Sequence, residues 1–329
     1  MVHLSDYYPL FLALLLSGHG LRKKSLSPSG ALAAFVVGFL MMSGGVRVFG
    51  VALIGFYLAG SRATKCECWS KIFLYIYPLV VVDGKKRKAQ LEDGYQEAGY
   101  RTGWQVLCNS ASGFAAAFLW NAAFVPTSIH ARIAEFVGIA VFQTRIDYDN
   151  NGWCPLSRTV ANGWSRRLVL SALGHFACCL GDTLASELGI LSSSRPKLIT
   201  TLRTVPAGTN GAISVGGTVA SIAGGGFIGM LVEVTMVIEN SRCSIEWSGI
   251  LFESVAWGMC GGGMGSLVDS LLGATVQETR YSNTKRVVLQ DTNKTKDGVR
   301  VISGINLLSN NQVNLVSSVI CAVMVGWIG

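Results

Sequence analysis

Gly181-Asp182-Thr183-Leu184-Ala185-Ser186-Glu187-Leu188-Gly189 lies near the middle of the apolar run 168–191, which begins just after Arg166-Arg167. A run of that length is sufficient to cross a bilayer, for which roughly 20 residues are needed. An ionised carboxylate at bilayer depth costs about 2.5–3.5 kcal/mol on insertion scales, so it persists where it faces a polar cavity, a cation or a partner helix. On a helix Thr183 and Glu187 share a face, as do Asp182 and Ser186, and His175 stands two turns before Asp182 on the same side. Gly181, Ala185 and Gly189 form a stripe of small residues suited to close helix contact. The same residues also fit a plainer role, in which the carboxylate only hydrogen-bonds a neighbouring helix and His175 is a satisfied core histidine.

The rest of the chain supports a membrane setting. Half of the 329 residues are apolar, 14% are charged and the mean hydropathy is +0.44. A soluble protein carries roughly 25% charged residues, so the deficit of charge excludes an ordinary soluble core. The 39 glycines fall inside apolar runs rather than in linkers, as in membrane helices whose backbones approach closely. The net charge of +8 resides in short loops between apolar runs, which points away from nucleic acid as a partner. The nine cysteines show no extracellular disulfide spacing. Cys66 and Cys68 are too close for a zinc knuckle, and Cys178, Cys179 and Cys321 read as small apolar residues in spans. The first apolar run lacks a basic leader and is expected to be a retained span.

The expected fold is all-α: one integral membrane domain over 1–329, a bundle of about eight spans (seven to nine), short and Gly-rich. The candidate spans are 8–21, 30–42, 47–60, 104–125, 168–191, 211–238, 249–276 and 311–329. The connections 22–29, 61–103, 192–210 and 277–310 fall on one side and carry 20 of the 27 Lys and Arg residues. Those at 43–46, 126–167 and 239–248 fall on the other. The positive-inside rule makes the first set cytoplasmic and the second lumenal, with both termini on the lumenal side. Two stretches resist placement. Residues 73–82 form an apolar insertion in the basic 61–103 loop, which lies in the interface, re-enters, or is an insertion peculiar to this sequence. Residues 131–142 have helical periodicity and read as a lumenal surface helix. If either spanned, every later assignment would invert.

After the acidic run comes Ser192-Ser193-Ser194-Arg195-Pro196-Lys197-Leu198-Ile199-Thr200-Thr201, then Pro206-Ala207-Gly208-Thr209-Asn210-Gly211. The second stretch reads as a Gly-rich turn opening directly into a small-residue helix. Backbone N–H groups at a helix N-terminus beside Arg or Lys make an anion site. The order of a Walker loop is absent, and the stretch fits a phosphate cradle and an ordinary loop about equally. Asp269 lies in a third element, Gly265-Ser266-Leu267-Val268-Asp269-Ser270-Leu271-Leu272-Gly273-Ala274-Thr275, again one acid among small residues in a span. Asn310, Asn311 and Asn314 open the last span. The likeness of the Asp182 and Asp269 segments suggests internally related halves.

Taken together, several strings carry a resemblance: Arg22-Lys23-Lys24-Ser25-Leu26 with Ser29-Gly30, Glu97-Ala98-Gly99-Tyr100-Arg101 with Gln105-Val106-Leu107-Cys108-Asn109, the acidic run at 181–189, and those at 196–201, 205–214 and 269–277 and 310–318. Their order and content resemble the transmembrane protein 19 family, catalogued as integral membrane domain of unknown function 92. The likeness covers most of the chain. It departs at about 67–84 and 125–165, and at Gly99-Tyr100, where the family usually has Gly-Gln. The resemblance implies a multipass membrane protein. It also implies one candidate activity, because the family includes a plant phytyl-phosphate kinase, while other plant members are associated with sugar responses.

The leading expectation is therefore an isoprenoid-lipid or lipid-phosphate kinase using a nucleoside triphosphate and Mg²⁺. Asp182, with Glu187 or Asp269, would hold Mg²⁺, a hard cation that uses few carboxylates plus phosphates and water. Arg195, Lys197, Thr200 and the turn Gly208, Thr209, Asn210, Gly211 would hold phosphates, with Asn311 and Asn314 at the mouth of the last span. The membrane lipid, a prenyl phosphate, would lie in the grooves between spans. The alternatives are a proton- or ion-coupled transporter using the same acids, and a non-catalytic scaffold or regulatory protein. An endomembrane of the endoplasmic reticulum type is the expected location, since a Ser- and Arg-rich presequence is not evident, with a plastid envelope as the alternative. The kinase expectation requires Asp182, Glu187, Asp269, Lys197 and Asn210 to converge on one cytoplasm-facing cavity, and scatter across helix interfaces would leave the structural role.

Overall fold

The computed structural model describes residues 7–65, 92–93, 100–139, 141, 146–189, 192, 194–245, 247–289 and 298–329. The apolar insertion at 73–82 lies outside them. The described helices are α1 (Tyr8–Arg22), α2 (Pro28–Met42), α3 (Val48–Lys65), α4 (Gly103–Cys108), α5 (Ala111–Phe124), α6 (Ile129–Val137), α7 (Trp164–Gly189), α8 (Val215–Glu239), α9 (Ser241–Ile245), α10 (Trp247–Thr275) and α11 (Asn310–Ile328). Three of them are long and apolar enough to cross a membrane: α7 with the short 3-10 turn before it (Val160–Gly189), α8 and α11. Pro28–Met42, Val48–Ala63 and Ala111–Phe124 are shorter apolar helices. At 1.5 Å per residue, the 29 residues of α10 extend roughly 43 Å.

The centre of the fold is α7, packed on α8, α10 and α11. Glycine makes this possible. A Cβ on Gly225 of α8 would fall on the Gly258 carbonyl of α10, and one on Gly262 would fall on the Ser221 carbonyl. Helix backbones in direct contact gain dispersion and exclude lipid without needing large side chains. Leu173, Leu180 and Leu184 of α7 are buried in this core, and Phe176 packs outward on Phe56 of α3.

Three expectations change in the structure. The span expected at 104–125 is broken: α4 ends at Cys108, Asn109 caps it, and α5 starts at Ala111. Asn109 and Ser110 have polar side chains that serve the break, and hydropathy averaged over a window does not register so short an interruption. The chain is also not all-α. Strands β1 (Glu92–Asp93), β4 (Thr279–Ser282), β5 (Val287–Leu289) and β6 (Val299–Ser303) form a sheet in the order β1-β5-β4-β6, and β2 (Lys197–Leu198) and β3 (Ala212–Ile213) form an antiparallel hairpin. Alternation such as Thr279-Arg280-Tyr281-Ser282 and Val299-Arg300-Val301 builds strands too short to weigh in a reading based on membrane spans. Finally, Cys154 and Cys243 are joined by a disulfide. They are 89 residues apart, so no short spacing announced them.

The disulfide and the hairpin lie at opposite ends of α7 and α8, since each helix starts near one and finishes near the other. At the disulfide end, Asn240 donates to the Trp153 carbonyl (2.9 Å) and accepts from the Cys243 N–H (2.9 Å). Trp120, Phe124, Tyr148 and Trp153 pack there with centroids 5.2–6.3 Å apart. Burial raises the Tyr148 phenol above its usual range, against the Asn240 hydrogen bond, which lowers it. The helix expected at 131–142 is α6, shorter than its periodicity suggested. Ser128 caps its start and Gly138 ends it in the left-handed region (φ +72°). Its Phe136 is 92% exposed, as suits a helix lying on an apolar surface.

Candidate functional site

Asp182 and Asp269 come together through the packing of α7 against α10. Gly174 meets Gly261 and Cys178 meets Gly265. The same spacing, carried one turn onward, sets Asp182 level with Asp269. Asp182 is within electrostatic reach of both Asp269 and Glu187. Ser317 of α11 donates to Asp269 Oδ2 (2.9 Å), and its backbone neighbour in the helix is Asn314, whose carbonyl also accepts from Ser317 Oγ (3.2 Å). Asn314 Nδ2 reaches Asn109 Oδ1 (3.5 Å), while Asn314 Oδ1 is buried with no partner among the described residues. The acids thus sit beside the α4–α5 break, where freed backbone and amide groups form a polar patch inside an apolar bundle.

His175 is not part of that chemistry. Its Nε2–H donates to the Asn109 carbonyl (3.0 Å) and Nδ1 accepts from Ser112 Oγ (2.6 Å). Both ring nitrogens are satisfied, so the histidine holds the break in place, as the plainer reading expected.

Glu187 faces a residue that sequence reasoning did not place in the site. Arg101 Nη1 donates to Ser61 Oγ (3.3 Å), and burial lowers the Arg101 pKa while Tyr57 and Glu187 oppose the fall by favouring its charge. Arg101 is anchored by its own backbone: its N–H donates to Ser25 O (2.9 Å) and its carbonyl accepts from Ser27 N–H (2.9 Å). The available signal was its position just before the α4 apolar run, in one of the strings carrying the family resemblance. Asn109 and Ser317 also lie in those strings, but beyond that they gave no signal except being polar in a span.

The hairpin sits on the end of α10, one turn beyond Asp269. Gly211 (φ +76°) is pressed against the Ser270 carbonyl and Ala274, an approach that any side chain would block. The turn does not open directly into a helix. β3 intervenes, and α8 starts only at Val215, where Ser214 Oγ accepts from Gly217 N–H (3.1 Å) and caps the helix. One N–H of the expected free N-terminus is therefore already satisfied, because Ser214, directly after β3, caps the helix. Asn210 ties the hairpin to the sheet, its N–H donating to Thr279 Oγ1 (3.1 Å) and its side chain to Glu278 O (3.2 Å). Thr209 is buried and donates to Pro206 O (2.7 Å). Arg195, Lys197, Thr200 and Gly208 are exposed, and Asn311 is half-buried near a helix start closed by the Ser309–Gln312 capping box.

Asp182, Glu187, Asp269 and Asn314 therefore share one neighbourhood. Arg195, Lys197, Thr200 and Gly208 lie on the hairpin at the same end of the bundle, while Asn210 and Thr209 are engaged within it. Among the described residues no group of three or more His, Cys, Asp or Glu side chains is close enough to hold a metal ion. The three acids are electrostatic neighbours rather than a preformed ligand shell. Mg²⁺ needs only one or two carboxylates beside substrate phosphates, and the oxygen donors of Asp182, Asp269 and Asn314 are of the kind it takes.

Residues 11–322 match the family model described as integral membrane protein DUF92. Protein PGR of Arabidopsis thaliana is 31% identical over 316 residues, covering 94% of this chain and 91% of that protein. An uncharacterized membrane protein of Methanocaldococcus jannaschii is 35% identical over 124 residues, 37% of this chain and 45% of its own. A second, from Synechocystis, is 35% identical over 125 residues, 38% of this chain and 44% of its own. No solved structure matches the chain. A match that runs through the α7–α10 core and nearly every described helix places this chain in the DUF92 family of integral membrane proteins.

Proposed function

We propose that the protein is a multipass phosphotransferase that phosphorylates an isoprenoid lipid, or lipid phosphate, from a nucleoside triphosphate with Mg²⁺. The observation that carries this reading is the level placement of Asp182 and Asp269 across the α7–α10 contact, under a hairpin bearing Arg195 and Lys197. Phosphoryl transfer asks the protein mainly for positioning and charge stabilisation. Mg²⁺, when bound, would neutralise the nucleotide phosphates. Asp182 and Asp269 would fix it, Asn314 would orient the phosphate side of the pocket, and Arg195, Lys197 and Thr200 would receive the nucleotide. About eight passages through the bilayer, with the hairpin and sheet facing the cytoplasm, fit the basic loops at that end. The disulfide at the other end fits an oxidising lumen, and hence an endomembrane.

Purified protein in detergent, given Mg²⁺, labelled nucleotide and a panel of prenyl alcohols and phosphates, is expected to transfer label. Asp182→Asn and Asp269→Asn should each lower transfer on the order of 100-fold with melting unchanged. Absence of transfer across the panel by well-folded protein would reject the reading.

A second reading, an ion- or proton-coupled carrier, is favoured by Glu233. It is 2% exposed in the last third of the Val215–Glu239 helix, its Oε1 has no partner among the described residues, and Ser254 Oγ approaches Oε2 at only 3.5 Å. Nucleotide-independent flux into liposomes, abolished by Glu233→Gln, would support that carrier over the kinase.

A further inference from the structure

A cavity of about 100 Å³ runs between α1, α2, α3 and α4. Its walls are apolar, with Ala13 and Leu16 from α1, Val37 and Met42 from α2, and Leu53 and Phe56 from α3. One end is polar, where Tyr57, Arg101, Gln105 and Asn109 meet. We propose that this slot binds one chain of an anionic single-chain lipid, with the lipid head on the Arg101 guanidinium.

The length of the slot fits such a ligand. Ala34 and Met42 are the first and last α2 residues on its wall, so the slot follows α2 for eight residues, roughly 12 Å at 1.5 Å per residue. That is most of one leaflet, which is about half of the ~30 Å hydrocarbon thickness, the depth a single chain reaches. The polar end is built rather than incidental. The backbone of Arg101 is pinned to Ser25 and Ser27, and its guanidinium has one assigned hydrogen bond among the described residues, to Ser61. A guanidinium offers five N–H donors in a planar fork that matches phosphate or carboxylate. Burial of that cation is costly without an anion; Glu187, outside the slot, favours its charge, and among the described residues the walls of the slot themselves carry no carboxylate.

Placement beside Glu187 and Asn109 connects the slot to the acids. Asn109 lines the cavity and also holds Asn314, next to Asp269. A lipid head on Arg101 would therefore lie at the edge of the acid cluster, and in this respect the inference rests on the phosphotransferase reading. The slot itself does not, because a carrier could hold the same lipid.

The test is equilibrium binding to the full chain in detergent, using farnesyl phosphate, oleate, farnesol and inorganic phosphate as probes. Farnesyl phosphate or oleate should bind, and whichever is tighter identifies the head group. Arg101→Gln should weaken anionic-lipid binding about 10-fold or more, the range expected for a lost charge-assisted hydrogen bond, while farnesol binding stays within twofold. Gly38→Leu should weaken all three lipids, since Gly38 lines the slot and a Cβ there meets only Met42 Cε at 3.7 Å, so the fold can accept the branch point. Equal binding of inorganic phosphate, or lipid binding indifferent to both variants in folded protein, overturns the slot. Binding with these sensitivities but no label transfer sustains the slot and removes the kinase. Label transfer with binding indifferent to both variants does the reverse.

Discussion

His130 shows how one side chain can set a pH response. Its Nε2–H donates to the Leu40 carbonyl (2.8 Å), while Nδ1 is buried without a partner among the described residues. Burial, the larger influence, lowers its pKa, and the Leu40 hydrogen bond opposes that. The sign follows from linkage. The folded pKa is depressed, so the contribution is fully present above the unfolded value near 6.5 and is lost as pH falls through the folded one. Melting temperature in detergent should therefore fall as pH drops from about 7 to 5, and His130→Gln should flatten that dependence. An unchanged slope in the variant would assign the response to another group. At this scale Asp182, Glu187 and Asp269 were legible in the sequence because an acid in a span carries a visible cost. Arg101 and Ser317 were not, since their roles depend on which helices meet, and a polar residue at a span boundary looks ordinary.

The α8–α10 contact is held by backbone proximity at Gly225, Gly229, Gly258 and Gly262. Gly225→Ala should therefore destabilise by about 1–3 kcal/mol, as overpacking does, because its Cβ would meet the Gly258 carbonyl. Gly18→Ala, with nothing within 4 Å of the added atom, is the control and should leave melting in detergent unchanged. Equal melting of both variants would show that the helices shift apart without penalty. Most long elements were readable from hydropathy: the runs expected at 8–21, 30–42, 47–60, 168–191, 249–276 and 311–329 correspond to helices whose bounds differ by a few residues. The break at Asn109 was not, because two polar residues do not change a window average. The strands were missed for a related reason. Each is five residues or fewer, and such short runs leave hydropathy averaged over a span-length window unchanged.

For the whole molecule, the Cys154–Cys243 bond is the largest feature that local spacing did not reveal. Cross-linking a loop of this size in a soluble chain stabilises typically by about 2–4 kcal/mol by limiting the unfolded state. Here the denatured chain already has helices held by lipid, so the gain should fall at or below the lower end. Cys154→Ser is expected to lower the melting temperature without loss of membrane insertion, as read by thermal shift and flotation. An equal fall on adding reductant to the original protein would confirm the common cause, and no fall in either would show the bond to be thermodynamically idle.

That bond also has a topological consequence. It closes a covalent ring that includes α7, the hairpin and α8, with the hairpin at the end remote from the sulfurs. On the topology proposed above, a protease cutting the exposed hairpin tip near Leu202 would split the polypeptide yet leave its two pieces joined, migrating together until a thiol reached the opposite face. In sealed vesicles, cleavage and release would thus require reagents on different sides, and the order in which a membrane-impermeant protease and an impermeant reductant act would read out which way the molecule faces.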